Sequence, residues 1–484
     1  MTTHFIIVGI LFIVSVFSSK LSDKYGIPAL LIFLIVGMLA GSDGILKLDF
    51  DNAKLAGDLG TVALVFILFA GGLDTSYKAI KPIMKSGFIL ATLGVLITAF
   101  VLSFFIYFVL DFTFLESFLL ACIISSTDAA AVFAILRSKG IVLKNNIGEL
   151  LEFESGSNDP MAIFLTMTVI SIIAAPKFPE TSDLIKSLAL QFIIGGLLGY
   201  LFGVILPSLI NKIKLSAWGL YPVLIMAMVI FLFGITEELG GNGYIAVYTA
   251  GIITNKREFV HKRNLIGFFD GISWLMQVLI FLTLGLLVFP THLPEVALIG
   301  VVIALFLMFV ARPVSVFIGL AFSKFNYKEK LFTSWVGLRG VVPIILATYP
   351  IAEGINNAHM MFNIVFVMVL VSVMFQGGTL GWAASFFDIK DENYNPNFHL
   401  PNKPIFYGGL RQFTIPKGSK FIGHNLAEMD IDDDFLILLI KRDNESFKPG
   451  GSYIFEENDL LLIHCTDINK YNNIISLLRK KKLA

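Results

Sequence analysis

The sequence predicts an all-α polytopic membrane protein of about thirteen transmembrane helices, followed by a small cytoplasmic α+β domain. Three observations support this fold class. The 484 residues are 56% hydrophobic and only 15% charged, which lies outside the range of soluble proteins. Apolar runs long enough to cross about 30 Å of hydrocarbon recur as far as Phe386. After Phe387 the composition changes abruptly to that of a soluble module.

Polar loops separate thirteen predicted spans. They are placed at 4–19, 27–42, 58–74, 86–110, 114–136, 148–174, 186–211, 216–237, 241–254, 266–289, 294–322, 331–350 and 359–386. The first apolar run, from Phe5 to Phe17, follows no basic region and lacks a convincing small-residue cleavage site, so we interpret it as a retained span. Two cysteines, Cys122 and Cys465, provide neither a disulfide framework nor a metal-binding pattern.

The loop charges predict the orientation. With the N-terminus outside, the inward loops carry seventeen Lys and Arg residues, whereas the outward loops carry four, Lys47, Lys54, Lys177 and Lys186. Basic loops are retained on the cytoplasmic side of a membrane. Because the number of spans is odd, the same bias predicts a cytoplasmic C-terminal tail.

A run from Glu154 to Pro160 opens a long apolar segment and carries two carboxylates. Ionisable groups inside lipid are costly and mark functional sites. In a helix, Glu154 and Asn158 share one face, and Ser155 and Asp159 share an adjacent face. The proline after Asp159 frees a carbonyl one turn earlier. These oxygen atoms predict a cation site, and the alternative is that both carboxylates lie at a wet helix start without function.

Two cations lie within the predicted spans, Arg312 and Arg339. Glu154 is the most natural partner of Arg312, because a buried charge persists only when it is paired and hydrogen-bonded. The alternative is that Arg312 extends to an interface. Arg339 lies between Gly337 and Gly340, with a proline close behind. This pattern predicts a broken helix whose backbone lines a cavity.

A second break is predicted where Ser125, Ser126 and Thr127 precede Asp128, near the middle of span five. Hydroxyl side chains can satisfy backbone groups that unwinding frees. The two breaks occupy comparable places in the two halves of the chain, a pattern typical of inverted-repeat transporters with a midplane site. Residue-by-residue repetition is not evident. Other acids lie near predicted span ends, where a solvated interface explains them: Asp74, Glu237, Glu238 and Asp270.

The tail divides into a polar linker at 388–403 and a module at 404–484, after a transmembrane domain at 1–387. FLILLIKRD and DLLLIHCTD predict buried strands, and INKYNNIISLLRKKK predicts a closing amphipathic helix. A module of about 80 residues has a marginal core, which favours dimerisation.

The motifs SSTDAAAVFAIL, FESGSNDP, VARPV and GLRGVVPI resemble those of the monovalent cation/proton antiporter superfamily, specifically its bacterial NhaP-like sodium or potassium/proton exchangers. The resemblance covers all thirteen spans and implies the fold shared by NhaA and NhaP antiporters. It implies that Thr127 and Asp128 lie at a helix break. It also implies that Asp159 is the principal cation and proton carboxylate, with Asn158 beside it and Ser155 helping to coordinate the ion.

The same resemblance implies a structural ion pair between Glu154 and Arg312, and it places Arg339 in the second broken helix. A monovalent cation is expected at Asp128 and Asp159. In the resembling family, an Asn-Asp pair accompanies electroneutral exchange. The usual Thr-Asp-Pro is replaced here by Thr-Asp-Ala, with Ala129 after the acid, which leaves the local helix geometry open.

The tail resembles the C-terminal subdomain of the RCK family of potassium-transport regulators, also called TrkA-C. The segments IPKGSKFIGHNLAEMDIDDDFLILLIKRD and KPGGSYIFEENDLLLIH carry this resemblance. A Gly-rich nucleotide-binding half does not precede them, so control by NAD is not expected. The resemblance implies dimerisation and a small regulatory ligand, such as a nucleotide or a cyclic dinucleotide, although no residue pattern specifies the ligand.

We therefore expect a secondary antiporter of the bacterial inner membrane that exchanges potassium, slightly favoured over sodium, for protons by alternating access. Neighbouring, partly desolvated carboxylates would make a proton and a cation compete for one site.

A homodimer in a lipid bilayer is expected, with no cofactor and no nucleic-acid partner. An RCK-regulated potassium channel is the alternative, but GGNGYIAVYTAG is not a TVGYG-type filter. An enzyme is not expected, since a His cluster, Walker loop or nucleophile elbow is missing.

Overall fold

The computed structural model describes residues 2–25, 29–175, 181–390, 410–419, 422–425, 436–442 and 445–464. The chain divides into two compact units, Met1–Tyr394 and Asn395–Ala484, named here the membrane unit and the C-terminal unit. Most of the linker predicted at 388–403 lies outside the described residues. The closing helix predicted at the C-terminus lies outside them too.

The described part of the membrane unit is helical. The helices are α1 Thr2–Tyr25, α2 Ala29–Ala40, α3 Ala53–Asp74, α4 Tyr77–Ile80, α5 Met84–Val109, α6 Phe114–Ile123, α7 Ala129–Ser138 and α8 Ile147–Ala174. They continue with α9 Thr181–Ile213, α10 Leu220–Glu238, α11 Gly243–Asn255, α12 Lys262–Leu286, α13 Pro290–Gly319, α14 Tyr327–Trp335, α15 Val341–Ala352 and α16 Ala358–Phe386.

Eight of these helices are long and apolar enough to cross a membrane, namely α3, α5, α8, α9, α10, α12, α13 and α16, counted over the described residues. Shorter apolar helices occur in α1, α2, α6 and α15. The chain is therefore a multi-pass membrane protein. Every predicted span overlaps one helix or a pair of short helices, but thirteen crossings stay a prediction, because several of these helices are too short to cross alone.

Two spans are interrupted at the places that the sequence predicted. Helix α6 ends at Ile123 and α7 begins at Ala129, while α14 ends at Trp335 and α15 begins at Val341. The non-helical segments 124–128 and 336–340 touch each other. The backbone N–H of Asp128 donates to the carbonyl of Leu338 at 2.7 Å. The breaks therefore cross in the interior of the membrane unit.

Capping boxes define where each broken span begins. At the start of α6, the Thr113 hydroxyl accepts from the backbone N–H of Glu116, whose carboxylate accepts from the backbone N–H of Thr113. Asn326 and Glu329 make the same reciprocal pair at the start of α14. Such pairs satisfy helix-start donors that would otherwise lack partners. The beginnings of α6 and α14 are consequently set by local sequence.

Helix α13 contains a π-helical turn, Leu307–Ala311, directly before Arg312. The residue after Arg312 is a proline, which cannot donate the usual helical hydrogen bond. A π turn absorbs this local irregularity within a continuous helix. Similar π turns occur in α5, at Leu90–Gly94, and in α16, at Val373–Gly377.

The loop between α7 and α8 is joined to the segment that follows α16. The backbone N–H of Lys144 donates to the carbonyl of Ile389 at 2.9 Å, and Leu143 forms an isolated antiparallel bridge with Lys390. The Lys144 ammonium also donates to Asp388 at 3.1 Å, and this hydrogen bond lowers the pKa of the Asp388 carboxyl. These contacts therefore link the loop between α7 and α8 to the end of the membrane unit.

The C-terminal unit contains a four-stranded antiparallel sheet in the order β1-β4-β2-β3. Its strands are β1 Leu410–Thr414, β2 Leu436–Arg442, β3 Glu445–Phe447 and β4 Leu460–His464. Strands β2 and β4 lie where the sequence predicted strands, and they pair with a register shift between Ile437 and Leu439. Ile440, Leu461 and Ile463 are buried in the core of this sheet.

Candidate ion site at the crossing of the broken helices

A cavity of about 50 Å³ lies at the crossing of the two broken spans. Its lining residues are Leu30, Leu64, Ile67, Ser126, Thr127, Asp128, Asp159, Gln277, Phe281, Gly340, Val341 and Val342. A buried water needs roughly 10–15 Å³ of such space. The cavity therefore has room for a cation with a small part of its hydration shell, beside two carboxylates.

The first break is held by side chains of α8. The Asn158 amide donates to the Thr127 hydroxyl at 2.6 Å, and its carbonyl oxygen accepts from the backbone N–H of Thr127 at 3.4 Å. The Ser155 hydroxyl donates to the carbonyl of Thr127 at 2.7 Å. Backbone groups that leave a helix inside a membrane need such partners. Ser155 and Asn158 thus both hold Thr127 by hydrogen bonds from α8.

Ala129, which stands where the resembling family has proline, contributes to the same arrangement. Helix α7 begins at this residue, and its backbone N–H donates to the Ser155 hydroxyl at 2.8 Å. Proline is tolerated at a helix start because it lacks only an N–H that the helix does not use. Here that N–H is used, so the departure from Thr-Asp-Pro adds a bond between α7 and α8.

Asp128 lies directly before α7 and is half-buried. Its Oδ1 accepts from the backbone N–H of Ala131 at 3.2 Å, so the carboxylate caps α7. A carboxylate at this place also faces the positive end of the helix dipole. Asp128 therefore has a structural contact as well as a place in the cavity wall.

Asp159 lies on α8 and faces the same cavity. Its Oδ1 is buried and has no hydrogen-bond partner among the described residues. Leaving a buried acceptor without a partner is costly. A cation or a proton in the cavity would supply the missing interaction.

Glu154 and Arg312 form a buried bidentate ion pair between α8 and α13. Arg312 Nη1 and Nη2 donate to the two carboxylate oxygens of Glu154 at 2.6 and 2.8 Å. The side chains are only 1% and 3% exposed, so Arg312 does not extend to an interface. The paired geometry leaves Glu154 outside the cavity wall, and the carboxylates that face the cavity are Asp128 and Asp159.

Arg339 connects the two breaks. Its Nη1 donates to the carbonyl of Ser125 at 2.5 Å and also to the carbonyl of Ser126. Both carbonyls belong to the segment that follows the end of α6, where the helix dipole is negative. The guanidinium therefore compensates the partial negative charge of an interrupted helix in a region without bulk water.

Helix α16 supports the second break through two polar side chains that sequence reasoning missed. The Ser372 hydroxyl accepts from the backbone N–H of Arg339 at 3.1 Å and donates to the side-chain oxygen of Gln376 at 2.6 Å. Gln376 in turn donates to the carbonyl of Trp335 at 2.8 Å. The signal in the sequence was a serine and a glutamine four residues apart inside an otherwise apolar run, VSVMFQGG.

Gly340 packs directly against Asp128. A Cβ atom at residue 340 would lie 2.0 Å from Asp128 Oδ2, which is far inside van der Waals contact. Sequence reasoning used Gly340 only as a sign of a broken helix. The structure adds that the missing side chain makes space for the carboxylate.

The acids near span ends lie apart from the cavity lining. Glu237 accepts from the backbone N–H of Gly243 at 2.7 Å, in the turn between α10 and α11. Within the described ranges, no cluster of three or more His, Cys, Asp or Glu residues could hold a metal ion.

Comparisons with known proteins identify a family for each unit of the chain. The family model for the transmembrane sodium/hydrogen exchanger matches residues 8–385, and the TrkA-C domain model matches residues 410–468. The sodium proton antiporter MjNhaP1 from Methanocaldococcus jannaschii at pH 8 has a similar structure, with a TM-score of 0.70 and 24% identity. The similarity covers 79% of this chain and 98% of that structure, which shows the fold.

Two relatives extend over nearly the whole chain. The K(+)/H(+) antiporter NhaP of Alkalimonas amylolytica is 36% identical over 464 residues, which cover 95% of this chain and 80% of the relative. The K(+)/H(+) antiporter NhaP2 of Shewanella oneidensis is also 36% identical, over 475 residues, with 95% and 81% covered. Both resemblances read from the motifs are confirmed. The chain therefore belongs to the transmembrane sodium/hydrogen exchanger family and carries a C-terminal TrkA-C domain.

Proposed function

We propose that the protein is a secondary active antiporter that exchanges a monovalent cation for protons by alternating access. The observation that carries this proposal is the Asp159 carboxylate, which faces a buried cavity beside Asp128 with one oxygen lacking a hydrogen-bond partner in the described part of the chain. A cation and a proton can each neutralise such a carboxylate, and one excludes the other. Crossing broken helices place the site where movement of surrounding elements can expose it to either face.

In this mechanism Asp159 is the principal carboxylate for cation and proton, and Asp128 shares the cation. Thr127, Ser155 and Asn158 belong to the same site because they fix the backbone beside Asp128. The cation enters when Asp159 is ionised, and a proton replaces it when the site faces the opposite side. Neither step needs ATP, because one ion moving down its electrochemical gradient drives the other ion against its own gradient.

Glu154, Arg312 and Arg339 have structural roles in the proposal. The Glu154–Arg312 pair joins α8 to α13, and Arg339 joins the two breaks. Each interaction neutralises charge or partial charge that lipid could not solvate. These groups would keep the cavity in shape while its contents change.

Potassium is proposed as the preferred cation, modestly ahead of sodium. Two relatives that cover 95% of this chain are named K(+)/H(+) antiporters. A relative that is 27% identical over 372 residues and covers 72% of this chain is named Na(+)/H(+) antiporter 1, from Methanocaldococcus jannaschii. Asn158 beside Asp159 favours electroneutral exchange, one proton for each cation. This stoichiometry follows from the resemblance, because an Asn-Asp pair accompanies electroneutral exchange in the resembling family.

We also propose an inner-membrane homodimer with its N-terminus outside and its C-terminal unit in the cytoplasm. The loop charges support this orientation.

The TrkA-C domain supports regulation by a small ligand at the C-terminal unit. An RCK-regulated potassium channel is not favoured, because relatives named as antiporters match the chain through both units.

The deciding experiment is proton movement in proteoliposomes that contain the purified full-length protein. Acid-loaded vesicles would receive potassium, sodium or lithium outside, with and without a voltage clamp. Proton efflux that depends on potassium and is insensitive to voltage is expected. If no cation moves protons in the folded full-length protein or in the folded protein without residues 388–484, antiport is the wrong function; activity of the shortened protein alone would indicate autoinhibition by the tail. Voltage-dependent efflux would contradict electroneutrality alone.

A further inference from the structure

The two glutamates that cap the broken spans each have a second partner. Glu116 is 8% exposed and Glu329 is 4% exposed. In each capping box, the Oε2 atom accepts from the backbone N–H at the helix start. The Oε1 atoms have other donors: Glu116 Oε1 accepts from the Asn357 side-chain amide at 3.3 Å, and Glu329 Oε1 accepts from the Asn145 side-chain amide at 2.8 Å. Local capping therefore uses only one oxygen of each carboxylate.

The two asparagines occupy similar places in the chain. Asn145 has a φ of 56° and lies two residues before the start of α8, and Asn357 has a φ of 60° and directly precedes α16. Asparagine at the start of a helix ordinarily caps that helix. Among the described residues, the Asn357 side chain makes no hydrogen bond to the start of its own helix, and it donates to Glu116 instead.

The two hydrogen bonds connect the broken spans start to end. The first broken span begins with Glu116 on α6 and ends with α7, shortly before Asn145. The second begins with Glu329 on α14 and ends with α15, shortly before Asn357. The Glu116 link (Glu116–Asn357) and the Glu329 link (Glu329–Asn145) therefore lie at opposite ends of two antiparallel spans. Because the arrangement occurs at both ends, it belongs to the repeated architecture rather than to one loop.

The Glu329 link joins two elements of the cavity wall. The second broken span contributes 340–342 to this wall, and α8 contributes Asp159. Asn145 lies directly before α8, so its bond to Glu329 sets the position of α8 relative to the second broken span. A packed helix transmits a displacement along its length as a rigid element. Loss of this link should therefore loosen the cavity wall itself.

The Glu116 link has a less direct connection to the cavity. The first broken span contributes 126–128 to the wall, whereas none of the lining residues in the described part of the chain belongs to α16. Helix α16 acts on the second break through Ser372, which accepts from the backbone N–H of Arg339. Loss of the Glu116 link should therefore affect the cavity less than loss of the Glu329 link.

We propose that Glu116 and Glu329 are positioning residues for cation binding, each linking its broken span to the asparagine that precedes the long helix of the other repeat. The inference rests on the proposed antiport, since it concerns how that same site keeps its shape. A capping role alone stabilises the start of a helix and needs one carboxylate oxygen. Positioning requires in addition that cation affinity depends on the bond to asparagine.

The first test removes each asparagine side chain and leaves both capping boxes in place. Glycine is the replacement, because it adopts a positive φ without strain. Proton efflux from proteoliposomes containing the full-length protein gives the KM for potassium. Asn145→Gly is expected to raise this KM about tenfold and Asn357→Gly about threefold, since each loses a hydrogen bond to a charged group.

Asn146→Gly is the matched control. Asn146 is an exposed residue with a φ of 58°, and within the described ranges its side chain does not cap α8. The substitution makes the same change in backbone freedom as Asn145→Gly without removing the link to Glu329. Its KM is expected to equal that of the unaltered protein.

A second test separates the link from helix stability. Asn145→Asp places a carboxylate against Glu329, but it also places negative charge before the start of α8, which favours the helix. Positioning predicts a KM raised at least as much as in Asn145→Gly, whereas a purely structural role predicts no increase. Adding Glu329→Gln again sets an amide against a carboxylate. The double variant is expected to return to within about twofold of the unaltered KM.

Thermal unfolding in detergent supplies a measurement that does not depend on transport. Increasing potassium chloride, with choline chloride as the control, gives a midpoint for cation stabilisation. This midpoint is expected to change in parallel with the KM. If neither the full-length protein nor the protein without residues 388–484 moves protons with any cation, antiport is wrong, and the midpoint still tests both links.

Three outcomes would overturn the inference while leaving antiport in place. If Asn145→Gly has the KM and midpoint of Asn146→Gly, Glu329 only caps α14. A larger effect from Asn357→Gly than from Asn145→Gly would contradict the route through the cavity wall. Failure of Glu329→Gln to restore the Asn145→Asp variant would show that the bond itself is not what matters, and this pair of variants decides the question if Asn145→Gly does not fold.

Discussion

Asp128 and Asp159 face one cavity but differ in their hydrogen bonding. Asp128 caps α7 through the backbone N–H of Ala131, whereas Asp159 Oδ1 has no such partner among the described residues. A carboxylate that caps a helix keeps a favourable interaction whether or not the cavity holds an ion. Asp159 depends more on what enters the cavity, which supports its role as the principal exchange group.

Replacing Asp159 with asparagine should abolish exchange and leave the fold intact. The amide has nearly the same shape, but it can neither ionise nor take up a transported proton. Proton efflux from proteoliposomes is expected to fall to the level of empty vesicles, with an unchanged elution profile in size-exclusion chromatography. Asp270→Asn, at an exposed acid of α12, serves as the matched control with normal efflux. Full activity in the Asp159→Asn variant would show that Asp159 is not the carboxylate that exchanges the cation and the proton.

Gly340→Ala should damage the site by contact with Asp128. The added Cβ would lie 2.0 Å from Asp128 Oδ2, so the carboxylate or the break must shift. Overpacking of this kind costs about 1–3 kcal/mol, and we expect the exchange rate to fall at least tenfold. Gly378→Ala in α16 is the control, because nothing lies within 4 Å of its added Cβ. Equal rates in the two variants would show that the close approach has no functional importance.

At the scale of elements, each broken span depends on side chains from another helix. Ser155 and Asn158 of α8 hold the first break, and Ser372 and Gln376 of α16 hold the second. Clusters of hydroxyl, glycine and proline residues were enough to predict where the helices break. They could not predict these partners, because the partners are distant in the sequence and meet only when the helices pack.

The ion pair between Glu154 and Arg312 should be essential for stability as a pair. Removing one partner leaves an uncompensated buried charge, which costs about 3–5 kcal/mol. Glu154→Arg and Arg312→Glu should each lower the unfolding temperature strongly, and the double exchange should restore part of the loss. The measurement is thermal unfolding of the purified variants in detergent.

A solvent-exposed ion pair serves as the control for these single and double exchanges. Asp183 and Lys186 lie 3.7 Å apart on α9 with side chains 64% and 73% exposed. Exposed pairs contribute about 0–1 kcal/mol, so exchanging these two residues should hardly change the unfolding temperature. If the double exchange at Glu154 and Arg312 is no more stable than the worse single variant, the two charges do not stabilise each other as proposed.

At the scale of the whole molecule, all residues that line the cavity belong to the membrane unit. Truncation after Lys390 should therefore retain cation-dependent exchange and the unfolding temperature of the membrane unit. Truncation after Phe387 should lower that temperature, because it removes Ile389, which is 3% exposed and accepts from the backbone N–H of Lys144. Burying such a side chain contributes about 1.5–3 kcal/mol.

Thermal unfolding and proteoliposome transport of both truncated proteins provide the measurement. A difference in exchange rate between the full-length protein and the protein truncated after Lys390 would report the effect of the C-terminal unit, whatever its direction. Complete loss of exchange in a folded protein truncated after Lys390 would mean that transport requires the C-terminal unit. Equal unfolding temperatures for the two truncated proteins would show that residues 388–390 do not stabilise the loop between α7 and α8.

The sequence by itself determined the membrane class, the positions of both breaks and the family. Hydropathy, loop charge and short motifs are local properties, and lipid penalises charge so strongly that each intramembrane ion marks a site. Only the tertiary structure decided which polar groups are satisfied. Ser125, Ser126 and Ser155 are chemically alike, but packing directs the Ser125 and Ser155 hydroxyls to backbone carbonyls and places Ser126 in the cavity wall. Hydrogen-bond satisfaction depends on neighbours far apart in the chain, and no local pattern encodes it.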